Sequence, residues 1–258
     1  MVRERVTDNW LELSTASGAR IKVLGNAHPR SKRLRLTITP GGARVSYPQG
    51  THPARVSAFL RQHADWLERE LGEQRQRLKP LSRLNVGRET EMPLRGRQVP
   101  LRWSEGPYPR IQRDADDAVV LVLPRLQPRF LPVARGLLAA FLEDRIRRDV
   151  GRWMPRYVPQ LGHAPTALRV RPMQSQWGSL DTRDRINLDL SLALAPAAAL
   201  RYVLVHELCH LKVRDHSPRF WRQVGELDPG WEAQRAWLRD HGAELKLQIE
   251  RLVDDIAD

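Results

Sequence analysis

Residues 196–213, PAAALRYVLVHELCHLKV, constrain this chain more than any other segment. Pro196 suits the opening of a helix, and the run YVLV with Leu211 marks that helix as one to be buried. Yet its last turns carry His206, Glu207 and His210. A polar group taken out of water without a partner costs roughly 2–7 kcal/mol, so a buried helix with these side chains calls for something that binds them. Residues four apart share one helix face, and two imidazoles so placed can hold one Zn²⁺ at roughly 2.0–2.1 Å each. Glu207 sits about 100° further round, where it need not be a ligand. From there it can take a proton from a water at the metal, whose pKa zinc lowers towards about 7. This is the H-E-x-x-H arrangement of zinc hydrolases. The competing reading is a pair of core histidines bonded to backbone carbonyls.

A catalytic zinc needs a third protein ligand and an open position. His216 follows His210 by six residues, the spacing of H-E-x-x-H-x-x-G-x-x-H metzincins. Two features argue against that class. Val213 occupies the turn-glycine position, where a β-branched residue tolerates positive φ poorly, and no methionine follows Met173 to form the later Met-turn. His216 must then arrive by another turn, through Arg214-Asp215 and a helix start at Ser217-Pro218. Glu226 and Glu232 are rival carboxylate ligands. Tyr202, one turn before His206, reads as core with a secondary candidacy as oxyanion donor; Cys209, Phe220 and Trp221 read as core.

The remainder indicates an α+β fold in two parts. Residues 19–48 alternate like strands around a turn at Pro40-Gly41-Gly42. A helix follows from Pro53 to about 78, with Val56, Phe59, Leu60, Trp66, Leu67 and Leu71 at helical spacing. Val86 to Trp103 and AVVLVLP (118–124) look β-like. Pro124 and Pro128 then suggest a boundary between a β-rich module, 1–128, and a catalytic domain, 129–258. The second part reads as a helix over 131–150, a proline-rich connector, strands at 167–173 and 185–192 flanking the loop MQSQWGSLDTRD, the H-E-x-x-H helix, and a final helix over about 231–252.

The formal charge of +13 is uneven. Residues 1–100 hold 19 Lys and Arg against 9 Asp and Glu, and the rest hold 24 against 21. The basic half is a candidate surface for nucleic acid, although Arg outnumbers Lys 38 to 5, as a codon bias would also produce. No apolar run approaches the roughly 20 residues of a membrane span, and MVRERVTDNW lacks the apolar stretch of a secretory signal. A lone cysteine, Cys209, excludes an internal disulfide and suggests a cytoplasmic setting.

HELCHLKVRDHSPRFW, with WGSLDTRDRINLDLSLALAP before it, resembles the YgjP-like metal-dependent hydrolases, relatives of the SprT and WLM peptidases. SKRLRLTITPGGARVSYPQG, ADWLERELGE and WEAQRAWLRDHG extend the likeness to both ends. The resemblance implies a minimal zincin fold, zinc held by His206, His210 and His216, Glu207 as catalytic base, and a protein or peptide substrate. It also suggests that Trp177-Gly178-Ser179 borders the substrate cleft, although the residues themselves read slightly better as a structural turn with a buried Trp. That family's loop usually reads W-G-S-C, and Leu180 stands at its cysteine position. Two other functions are consistent with these residues: a metal-dependent nucleoside triphosphate pyrophosphatase, and a nucleic-acid-associated protein with a structural zinc.

Overall fold

The computed structural model describes residues 9–29, 31–39, 42–78, 84–173 and 176–253. The turn residues Pro40 and Gly41, the loop residues Gln174 and Ser175, and residues 1–8 at the N-terminus lie outside them. The chain forms two compact units, Met1–Leu81 and Ser82–Asp258.

In the first unit, β1 (Asn9–Ser14), β2 (Arg20–His28), β3 (Arg35–Thr39) and β4 (Gly42–Pro48) form a sheet ordered β1-β2-β4-β3. Its central pair is parallel and its outer pairs antiparallel. Val23 and Val45 are fully buried beneath helices α1 (Pro53–Gln62) and α2 (Ala64–Leu78). The sequence predicts a single helix here. It breaks at His63 (φ −110°, ψ 16°), whose ring hydrogen-bonds the Phe59 carbonyl at 2.9 Å. Periodicity does not reveal the break, because the buried Leu60 and Leu67 remain seven residues apart, about two turns.

The second unit begins with β5 (Thr90–Leu94), β6 (Arg97–Glu105), β7 (Arg110–Arg113) and β8 (Val119–Leu123), ordered β5-β6-β8-β7. This repeats the connectivity of the first sheet, again with a parallel central pair. Helix α3 (Leu131–Leu161) follows. Strands β9 (Ala167–Arg171), β10 (Gly178–Leu180) and β11 (Arg185–Asp189) then form a small sheet ordered β10-β11-β9. Helices α4 (Ala197–Cys209), α5 (Pro218–Leu227) and α6 (Trp231–Val253) complete an α+β unit.

The division falls between Leu81 and Ser82, not near residue 128. The reason is packing: Leu101, Leu121 and Leu123 share one core with Leu138, Leu142 and Ile146 of α3 and Leu204 and Leu208 of α4. The basic stretch 1–100 is therefore divided between the two units rather than forming one module. Helix α3 also runs beyond the expected end at Val150, through Pro155 and Pro159. Two internal prolines cost about 6 kcal/mol together, and this last stretch offsets much of that by burying Tyr157 and Leu161, each worth roughly 1.5–3 kcal/mol. Among the described residues no helix is long and apolar enough to cross a membrane.

The β5–β6 turn fixes the start of α4. Arg95 (φ 52°) and Gly96 (φ 76°) are both left-handed, and their N–H groups donate to the carbonyls of Ala193 (3.0 Å) and Leu194 (2.9 Å). A Cβ on Gly96 would lie 2.8 Å from Cγ and 3.1 Å from Cα of Pro196, the residue that caps α4. The Arg95 side chain pairs with the buried Asp149 of α3. Gly96→Ala should therefore lower unfolding stability by about 1–3 kcal/mol in urea denaturation. Gly87→Ala should lose less: it has the same backbone sign (φ 81°), but its Cβ would meet only Leu126, at 3.6 Å.

Candidate metal centre

Helix α4 is buried on most of its circumference, through Tyr202, Val203, Leu204, Val205, Leu208 and Cys209. The helix ends at Cys209, and His210 forms its C-cap. The chain then turns through Val213 and returns His216, exposed, just before α5. One ring nitrogen from each of His206, His210 and His216 lies within 4.8 Å of the others. The Nε2 atoms of His206 and His216 are 3.1 Å apart. Two nitrogens on one tetrahedral zinc would be about 3.3 Å apart, so the spacing suits a shared ion.

Local structure orients the rings. Nδ1–H of His210 donates to the Val213 carbonyl at 2.9 Å, which leaves Nε2 with a free lone pair. Phe220 stacks on His210 at 4.5 Å and meets His206 edge-on at 4.9 Å. Nδ1 of His206 is buried without a hydrogen-bond partner, so no backbone acceptor orients that ring as Val213 orients His210. Burial drives His206 down to about 3, and the neighbouring His210 and His216 add to the effect. Burial also lowers His210. Neutral imidazoles at the negative end of a helix dipole favour a cation, and three nitrogen donors with no carboxylate fit zinc better than magnesium or calcium. Neither rival carboxylate joins the cluster: Glu226 lies in a separate cleft beside Lys212 and Arg222, and Glu232 lines a groove beside Trp231 on α6.

Glu207 is only 5% exposed. Burial pushes its carboxyl up to about 8, against the opposing pull of a hydrogen bond from the Leu180 backbone. A Cβ on Gly178 would sit 2.8 Å from both Cγ and Oε1 of Glu207, so β10 can approach α4 only with glycine there. Glu207 and His206 open onto a cleft of about 370 Å³, walled by Trp177, Gly178, Tyr202 and the α6 residues Arg235 and Arg239. Cys209 is fully buried, and burial pushes its thiol up to about 12. Tyr202 is buried too, as its reading as core expects. Phe220 is core, whereas Trp221 is partly exposed and stacks on Trp231 at 4.5 Å.

The Trp177 segment is held by a buried ion pair. Lys246 of α6 lies 2.6 Å from Asp189 at the end of β11. It also donates to the carbonyls of Met173 (2.5 Å) and Gln176 (3.1 Å). Asp189 accepts the Met173 N–H at 2.6 Å, and its own N–H donates to the Trp177 carbonyl at 2.8 Å. The Lys246 ammonium is 4.6 Å from the centre of the Trp177 ring, which lies against Gly242. Sequence reading missed Asp189, Gly242 and Lys246. The available signals were an aspartate inside the apolar run INLDLSL and one of only five lysines in the chain. Removing one member of a buried pair strands the other. Lys246→Met should therefore cost about 3–5 kcal/mol of unfolding stability, whereas the exposed Lys212→Met should be near neutral by the same denaturation measurement.

No curated protein matches the chain. Among solved structures, the metallopeptidase zymogen abylysin of Pyrococcus abyssi is 27% identical over 39% of this chain and 92% of that one, with a TM-score of 0.30. The family model described as "YgjP-like, metallopeptidase domain" matches residues 32–241. With most of its length inside that match, the chain belongs to the YgjP-like family and is a metal-dependent peptidase by that membership.

Proposed function

We propose that the chain is a zinc peptidase in which His206, His210 and His216 hold the metal and Glu207 is the general base. One observation carries the reading: three imidazole nitrogens converge within 4.8 Å beside a cleft into which the buried Glu207 opens. Among the described residues the cluster has three ligand groups and no fourth, as a catalytic rather than a structural zinc requires. When bound, zinc supplies Lewis acidity that polarises a scissile carbonyl and makes water acidic near neutral pH. Glu207 then accepts the proton of the attacking water and passes it to the departing amine nitrogen. Its burial keeps competing solvent away, the Leu180 N–H steadies the carboxylate, and Gly178 gives the side chain room in that orientation. Triphosphate hydrolysis would favour oxygen ligands for magnesium, which this cluster does not offer.

Zinc content and casein hydrolysis test the assignment together. Glu207→Gln should retain about one zinc per chain and lose about 10²–10⁴-fold in hydrolysis. His210→Ala should lose the metal as well as the activity. Triphosphate turnover that depends on Glu207, without proteolysis, would overturn the reading, as would zinc-loaded Glu207→Gln protein with full activity.

Gly178→Ala probes the contact between β10 and α4. Zinc content should stay unchanged while kcat falls at least about tenfold, because Glu207 must move by a distance that near-attack geometry does not tolerate. Unchanged kcat would show that the approach of β10 is not needed for the base.

A further inference from the structure

Resting on the peptidase reading, we infer that Arg235 is a specificity-determining residue that selects peptides bearing a carboxylate near the scissile bond. Arg235 lines the same cleft as His206 and Glu207. It also lines the adjoining groove of about 510 Å³ along α6 with Trp231 and Glu232, so it stands where a bound chain would pass from the metal into the groove. Its guanidinium lies over the Trp221 ring at 4.9 Å. That ring stacks on Trp231, which in turn stacks on Tyr202 at 6.4 Å, beside His206. An aromatic ladder thus fixes the cation in relation to the metal ligands.

Among the described residues no carboxylate lies within 4.0 Å of Arg235. Glu232, one turn earlier, is exposed and makes no ion pair with it, and Glu207 is buried. Arg239, one turn later, is already paired with Asp240 at 2.9 Å. The cleft therefore presents one exposed guanidinium, seated against an aromatic ring and without an ion-pair partner among the described residues. A planar fork resting against an indole loses less freedom than a free one when it takes a carboxylate in a bidentate pair. The carboxylate can be an acidic side chain or the α-carboxylate of a peptide end.

Binding to zinc-loaded Glu207→Gln protein separates recognition from hydrolysis. Three hexapeptides serve as probes: one acetylated and amidated with a single Glu, the same with Gln, and the Gln peptide with a free C-terminus. The Glu peptide should bind about fivefold tighter than its Gln counterpart, the scale of a partly exposed ion pair. Adding Arg235→Gln should erase the difference, Arg235→Lys should restore part of it, and Arg235→Glu should reverse it. A gain confined to the free-acid peptide would identify the α-carboxylate as the group selected. Equal binding of all three peptides, or a Glu preference that survives Arg235→Gln, would overturn the inference. Arg235-dependent binding of ATP tighter than that of any peptide would also overturn it. The two readings fail separately. Casein hydrolysis without carboxylate preference removes only the role of Arg235, whereas carboxylate preference in a wild-type protein that cleaves nothing removes only the peptidase assignment.

Discussion

Burial of the last two turns of α4 is the constraint on which the rest of the second unit depends. It pushes Glu207 towards its neutral form and His206 towards its unprotonated form, so without a cation the site has little charge to stabilise. A divalent ion held by the three histidines would reverse the balance for the carboxylate, because a nearby dication is the largest local charge. The same dryness that disfavours an ionised Glu207 would strengthen its attraction to such an ion.

That arrangement needs walls, and they come from distant parts of the sequence. The β5–β6 turn holds the approach to α4 from one side. The Asp189–Lys246 pair ties β11 to α6 and sets the Trp177 segment between them. A buried ion pair is weak evidence for stability in itself. Here its value is geometric: it fixes the chain that delivers Gly178 against Glu207. The proposed base is thus positioned by residues that share neither its helix nor its chemistry.

The convergence of His206, His210 and His216 was legible in the sequence because H-E-x-x-H fixes spacing on a single helix, and His216 follows within six residues. The strands with strong alternation and the amphipathic helices were legible for the same reason: their signal is local. What was not legible depends on tertiary contact. The unit boundary at Leu81 could not be seen from prolines near 128, because shared burial of Leu121 and Leu138 decides it. The passage of α3 through two prolines follows from what Tyr157 and Leu161 bury. The repeated sheet connectivity is invisible in residue identities, since hydrogen-bonding order constrains only polarity and length. Gly178 stands in a recognisable sequence motif, but its reason, a carboxylate 2.8 Å from where a methyl would stand, exists only in three dimensions.

Cys209 lies one residue from His210, yet its thiol is sealed in the core with its ionisation suppressed. Alkylating agents and peroxides act on accessible thiolate, and this chain offers no other cysteine. The proposed metal centre is therefore insulated from the thiol redox state of its surroundings. Covalent inhibitors aimed at sulfur would pass it by, whereas chelators would reach a metal held by the three histidines.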